Sequence, residues 1–348
     1  MTHPYADIAD YRHWRRAPGA AVPAQLDPVA RTKFSISREE PVATAGSCFA
    51  QHVMRHLDRN GFNTLIAEAP PTFFGNKLAT QFGYGIFSTR SGNVYTARQL
   101  VQLFQRAEGS FVPEAEPWDT PEGLLDPFRP SVGAFSSLAE LEAERAYHLD
   151  RVGEMLRGLS VFVFTLGLTE AWLDRDGAAF PIAPGTAGGT FDPARHSFVN
   201  FSVDEVVADL RAALELLRAV NPNAKIILTV SPVPLMATAL DRHVLVSTVY
   251  SKSVLRVAAE TVAGADSAVD YFPSYEIITA PHVRGRYFGP DARAVTEDGV
   301  RHVMRVFLKH YGGADQVTPA KRSAPPSQSQ ENAAIAEAIC DEELLGAR

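Results

Sequence analysis

SVFVFTLG, Ser160–Gly167, is the stretch on which the fold turns. It is an unbroken apolar run rich in Val and Phe, with no polar residue at every second place. A strand with one wet face alternates; a strand buried on both faces reads like this one. Working outward, VATAG (Val42–Gly46) and KIILTV (Lys225–Val230) have the same character, and Ala268–Phe272 reads as a further strand. Helix-like segments separate them. Phe49–Asn60 is closed by Gly61. Thr96 with Gln99, Ser137 with Glu140 and Ser202 with Glu205 each spell a capping box before an apolar-periodic run. A further helix is expected to begin at Ser251, and Val300–Tyr311 is the last. Asn63–Ala67 reads as an additional short strand, and DRDGAAF (Asp174–Phe180) carries the Asp-Gly signal of a small hairpin. Strands alternating with helices predict an α/β fold, a three-layer sandwich around a central parallel sheet. In such sheets ligands bind beyond the carboxyl ends of the strands. A polar cluster follows each strand here: GSC, GLTEAW, SPVP and PSYE.

The remaining sequence narrows the class. The chain has 348 residues, 46% hydrophobic and 21% charged, with a formal net charge of −7. Its densest basic group is Arg12, Arg15 and Arg16, so no basic surface for nucleic acid is expected. The N-terminal stretch is too polar for a signal peptide, and no apolar run approaches the roughly 20 residues of a membrane span. A cytoplasmic protein is expected. Of the two cysteines, Cys48 lies in the GSC cluster and Cys340 in a polar tail. That separation predicts no structural disulfide between them. Residues 1–38 read as an N-terminal arm, 39–312 as the α/β domain, and 313–348 as a disordered linker ending in a short amphipathic helix after Asn332. The tail's Pro, Ser and Gln content predicts that folding does not need it.

The turn after the first strand holds the chemistry. Gly46, Ser47 and Cys48 join a strand to a helix, where free backbone N–H groups and the helix dipole favour a thiolate or an oxyanion. A tight turn also wants small residues for steric reasons alone. Gly46-Ser47-Cys48-Phe49-Ala50 resembles the signature of the GSCFA family. The resemblance extends over roughly residues 40–312 through TLG (165–167), TVSPVP (229–234), SK (251–252) and YFPSYE (271–276). That family is similar to the SGNH (GDSL-type) hydrolases, esterases and acyltransferases on a flavodoxin-like sheet. The resemblance implies that Cys48 falls on the nucleophile position and Ser47 on the Asp beside it. Gly75, with Asn76 next to it, becomes the oxyanion glycine. Gly167 opens the Gly-x-Asn-Asp block, in which Thr169 and Glu170 replace Asn and Asp, so either Thr169 or Asn76 takes the oxyanion role. In the last block Asp291 stands in place but the histidine position is Ala294.

A thiol still needs a base or a strong field. His302 lies on the last helix, turned away from its apolar face, and is expected to be exposed. His52 and His56 lie four apart on the first helix with no carboxylate to complete a metal pair. The loop histidines His196, His243 and His282 are the candidate bases, together with Glu170. Trp172 is a candidate wall for an acyl pocket, and Lys252 a cation at a helix start. No metal-ligand spacing or phosphate loop is present, so no cofactor or metal is expected. Gly46, Gly75 and Gly167 are expected around one pocket. The implied activity is acyl-ester hydrolysis or O-acyl transfer on an acylated sugar or small ester through Cys48 or Ser47. Two other readings compete: an altered site that binds carbohydrate or acyl ligands without turnover, and a scaffold docking partners through its C-terminal helix. The sequence leaves the oligomeric state open.

Overall fold

A computed structural model of the chain describes residues 3–17, 19, 22–312, 338 and 340–346. The chain divides into two compact units, one of residues 38–271 with 338–348, the other of residues 1–37 with 272–337.

The larger unit is built on the apolar runs. Along the chain come β1 (Val42–Gly46), α1 (Ala50–Arg59), α2 (Asn76–Gln81), α3 (Ala97–Glu108), β2 (Trp118–Thr120), β3 (Gly123–Leu125) and α4 (Leu138–Gly158). They are followed by β4 (Val161–Leu166), β5 (Glu170–Leu173), β6 (Ala179–Phe180), β7 (Ser197–Asn200), α5 (Val203–Val220), β8 (Lys225–Val230), α6 (Val244–Ala265) and β9 (Val269–Phe272). The central sheet has the order β1-β4-β8-β9. β1 pairs parallel to β4 from Val42↔Val161 to Gly46↔Thr165, and β4 parallel to β8 from Val161↔Lys225 to Leu166↔Val230. Every residue of β1 and β4 is buried, as an all-apolar run demands. The molecule is therefore an α/β protein with a central parallel sheet flanked by helices.

Local chemistry sets the helix starts. Thr96 and Ser202 form complete capping boxes with Gln99 and Glu205, and Ser137 accepts from the Glu140 N–H. Asp174–Gly177 turns the β5–β6 hairpin, which β7 joins on its other side. Two expectations are corrected. Asn63–Ala67 forms no strand; a single bridge from Val42 to Thr64 marks where it touches β1. α6 begins seven residues before Ser251, because the His243 side chain caps it by accepting from the Leu245 N–H at 3.1 Å. The β-branched first turn, VLV, hides that start from a propensity reading.

The smaller unit holds α7 (Ser274–Thr279) and α8 (Glu297–Tyr311). His302 is not exposed but buried. Its Nδ1 lies 2.7 Å from the Tyr287 hydroxyl and its Nε2 2.7 Å from the Leu26 carbonyl oxygen. The helical pattern located one apolar face of α8. The N-terminal segment covers a second, with Ile36 N–H donating to Tyr311 O and Asp27 bonded to Lys309 and His310.

Residues 313–337 and 339 lie outside the described residues, and with them most of the expected C-terminal helix. Its described end, Asp341–Gly346, is a 3-10 helix.

Candidate functional site

The turn leaving β1 is forced by its neighbour. Gly46 has φ +138°, and a Cβ there would stand 2.5 Å from the carbonyl oxygen of Thr165 on β4. Only glycine fits so close an approach. Ser47 N–H donates to that same carbonyl at 3.0 Å, and α1 opens at Ala50. The strand and the helix thus fix the backbone of Ser47 and Cys48. Gly167, after β4, is held against the turn: a Cβ on it would meet Ser47 Cβ at 2.8 Å and Tyr95 Cδ1 at 3.1 Å. Gly167 and Leu168 N–H both donate to Tyr95 O. Lys252 reaches up from α6, buried, to donate to Gly167 O at 2.7 Å. It fixes the loop from mid-helix and does not stand at a helix start.

Cys48 is bonded to Cys340, with the two Cα atoms 5.3 Å apart. The expectation of no disulfide is overturned. A sequence separation of 292 residues says nothing against a bond once the fold brings the ends together. The two residues after Cys340 are buried too. Asp341 is 4% exposed and Glu342 5%. Asn93 Nδ2 donates to the Asp341 carboxylate at 2.8 Å, and Ser131 donates to it as well. The Tyr95 hydroxyl accepts from the Asp341 N–H at 3.0 Å and lies 3.5 Å from its carboxylate. Burial pushes the Asp341 carboxyl above the ordinary range against these bonds. Burial also drives the Tyr95 phenol well up, with the Asp341 and Glu342 carboxylates adding to it. Met236 N–H approaches Glu342 Oε1 at 3.4 Å. These contacts pack Asp341 and Glu342 onto the larger unit.

Beside this segment lies a cavity of about 230 Å³. Its walls are largely apolar, from Leu168, Trp172, Phe180, Ile182, Leu235 and, from the tail, Leu345; Glu170 and Thr238 supply polar groups. Leu168 and Leu235 pack on Tyr95, which joins the cavity to the turn.

The structure brings together Ser47, Cys48 and Gly167, and the other expected members have neighbours of their own. Gly75 is exposed, with no atom within 4 Å of where a Cβ would stand. Asn76 is the first residue of α2. The segment that does run along the turn is Ser91–Tyr95. Val94 N–H donates to Gly46 O at 2.9 Å, and Asn93 Oδ1 accepts from Gln51 of α1 at 3.2 Å. The sequence holds two Gly-Asn pairs, Gly75-Asn76 and Gly92-Asn93, and the second is the one beside the turn.

Thr169 donates its hydroxyl to Asn200 Oδ1 at 2.6 Å and its N–H to Ser251 Oγ at 3.0 Å, so it braces the β5–β7 sheet. Glu170 accepts from Thr238 Oγ1 at 2.7 Å in the cavity wall. His196 is placed in another hollow, with Asp174 and Arg195, where its Nδ1 accepts from the Asp192 N–H. His243 is the exposed cap of α6. His282 lies against Trp14, ring centroids 4.7 Å apart, and Asp291 closes a turn by accepting from Arg293 and Ala294 N–H; both belong to the smaller unit. His52, one turn beyond Cys48, is held neutral by burial and by Arg55, its pKa down at about 3. Ser47 Oγ is buried without a hydrogen-bond partner, and Cys48 Sγ is bonded to Cys340, so neither has an imidazole partner. Among the described residues, no group of three or more His, Cys, Asp or Glu is placed to hold a metal ion. Nor, among them, is any helix long and apolar enough to cross a membrane.

The fold and the site define a parallel α/β protein with a Gly-Ser-Cys turn at the end of its first strand, joined covalently to its own C-terminal segment. The model of the GSCFA family matches residues 41–307, and the chain belongs to that family. A comparison with curated proteins finds no match.

Proposed function

We propose that this chain performs acyl-ester chemistry, as a hydrolase or an O-acyltransferase on an acylated sugar or small ester, with the reduced Cys48 thiol as nucleophile on an SGNH-like scaffold. The observation that carries the reading is the bond to Cys340. A sulfur that meets the tail at the carboxyl edge of the sheet is directed toward that edge, where open α/β sheets bind ligands. α1 begins two residues after Cys48, and its N-terminus favours a thiolate over the much more basic alkoxide of Ser47. Asn93 takes the oxyanion role in place of Asn76 or Thr169. Its Nδ2 donates at 2.8 Å to the carboxylate of Asp341, the residue that follows Cys340, and so is a donor already directed at an anionic oxygen. The cavity of about 230 Å³ suits a short acyl chain. In this mechanism the thiolate sulfur bonds to the acyl carbon and the alcohol leaves with a proton from solvent. Water or an acceptor hydroxyl then releases the acyl group.

The test is turnover of short-chain p-nitrophenyl esters by the full chain after treatment with a dithiol. Hydrolysis is expected, abolished in Cys48→Ser, reduced about 100-fold or more in Asn93→Ala, and retained in Ser47→Ala. A second reading, ligand binding without turnover, is favoured by the absence of a hydrogen-bond partner on Ser47 Oγ. It stands if the reduced chain neither turns over esters nor reacts with a thiol-directed or fluorophosphonate probe at the turn.

A further inference from the structure

We infer that residues 340–345 are a tethered occupant of the ligand site, released when a dithiol reduces the Cys48–Cys340 bond; this rests on the reading of that site as an acyl-binding one.

Three separate observations converge. The first is covalent, the disulfide itself. The second is polar. Asp and Glu are almost never fully buried unless partnered, and Asp341 and Glu342 are both buried here with partners supplied by the larger unit. Asp341 enters a hole made by Asn93, Tyr95 and Ser131. The third is apolar: Leu345 lines the cavity together with Trp172 and Phe180 while remaining 39% exposed. Along the chain, Cys340 is followed directly by the Asp341 carboxylate and then by Leu345 at the apolar cavity, an order of oxygen and aliphatic chain like that of an acyl ligand. The carboxylate oxygen of Asp341 stands for the acyl carbonyl oxygen, and Leu345 borders the space for the chain. The ligand that replaces the tail is therefore a short aliphatic acyl compound, bound by its oxygen between Asn93 and Tyr95.

The release step balances. A dithiolate sulfur attacks one sulfur of the Cys48–Cys340 pair. The second dithiol sulfur closes the reagent's own disulfide. Two electrons and two protons pass to the protein as two thiols. Once reduced, the segment is held by non-covalent contacts centred on a carboxylate taken out of water, which is a weak hold.

The test uses the full chain, oxidised and dithiol-reduced, with hexanoate as the probe, followed by calorimetry. Binding at least tenfold tighter to the reduced form is expected. In the Cys340→Ser variant, adding Asp341→Lys should raise the rate of Cys48 alkylation by iodoacetamide at least tenfold, because the lysine cannot occupy the Asn93 hole. Equal hexanoate affinity in the two redox states overturns the inference, as does an alkylation rate in Cys340→Ser that the second substitution leaves unchanged. Since the first measurement uses the wild-type chain, a poorly folding variant does not decide the matter. Tighter hexanoate binding without ester turnover leaves the tethered occupant standing and removes the catalytic reading. Equal hexanoate affinity with ester turnover confined to the reduced form removes the occupant and leaves the catalytic reading.

Discussion

Gly46 concentrates two constraints in one residue, a left-handed backbone at φ +138° and a strand backbone 2.5 Å from any added Cβ. Gly85 separates them: its φ is +70°, yet nothing lies within 4 Å of its Cβ position. Gly85→Ala should therefore cost only the left-handed penalty, about 1 kcal/mol. Gly46→Ala must also push β4 away, and should cost about 3 kcal/mol or more or prevent folding. Urea unfolding of the two variants separates the cases, and similar losses would mean that the β1–β4 contact yields easily. The sequence made Gly46 legible as a tight turn because the strand before it and the helix after it are both strongly patterned. The resemblance points to Gly75-Asn76, and nothing local in the sequence draws attention to Gly92-Asn93. Both are a glycine followed by an asparagine. Only the tertiary hydrogen bond from Val94 to Gly46 marks the second as the neighbour.

Elements whose ends carry their own chemistry were readable, and those fixed by distant partners were not. The Thr96 and Ser202 capping boxes announce α3 and α5. α6 is capped by a histidine, an uncommon cap that carries no familiar start signal in the sequence. His243→Ala should lower stability by about 1 kcal/mol, the loss of one cap, and leave ester turnover within twofold. A large loss of turnover at unchanged stability would return His243 to the chemistry. The segment joining β3 to α4 depends on a buried charge cluster that no local pattern reveals. Asp126 accepts from Arg129 at 2.9 Å and from Arg145 at 3.2 Å, both of its carboxylate oxygens being fully buried. Burial alone would raise its pKa, but Arg129, Arg145 and Arg106 hold it well below the usual carboxylate range. Asp126→Asn leaves buried guanidinium charge uncompensated and should destabilise the larger unit by about 3–5 kcal/mol. A loss under about 1 kcal/mol in urea unfolding would mean that the arginines find other partners.

At the scale of the whole molecule, buried imidazoles make stability depend on pH above the carboxylate range. His52 and His148 lie in the larger unit, with pKa values lowered to about 3 and about 4. Burial is the main cause in both, seconded by Arg55 for His52 and by Arg129 for His148, whose bond to Glu68 at 2.8 Å opposes the shift only in part. The sign follows from proton counting. Below about pH 6.5 the unfolded chain protonates these rings while the folded chain keeps them neutral. The unfolded state then binds more protons, so the stability that neutral burial contributes is complete above that pH. It is lost as pH falls toward the folded values, by up to about 1.4 kcal/mol per pH unit for each ring. His302, lowered by burial in the smaller unit, acts in the same direction there. The carboxyls of Glu68 and Asp174, lowered through His148 and Arg195 against their burial, add their own loss only at lower pH, where unfolded carboxylates take protons. Asp209 and Asp341, raised by burial, run the other way: their contribution is present at low pH and lost as pH rises through their folded values. The histidine window between pH 7 and 5 therefore lies largely above the carboxylate losses. Urea unfolding should show a fall of about 2 kcal/mol or more across it, and His52→Gln should flatten the slope. A profile level from pH 7 to 5 would mean that these imidazoles are already solvated in the folded chain.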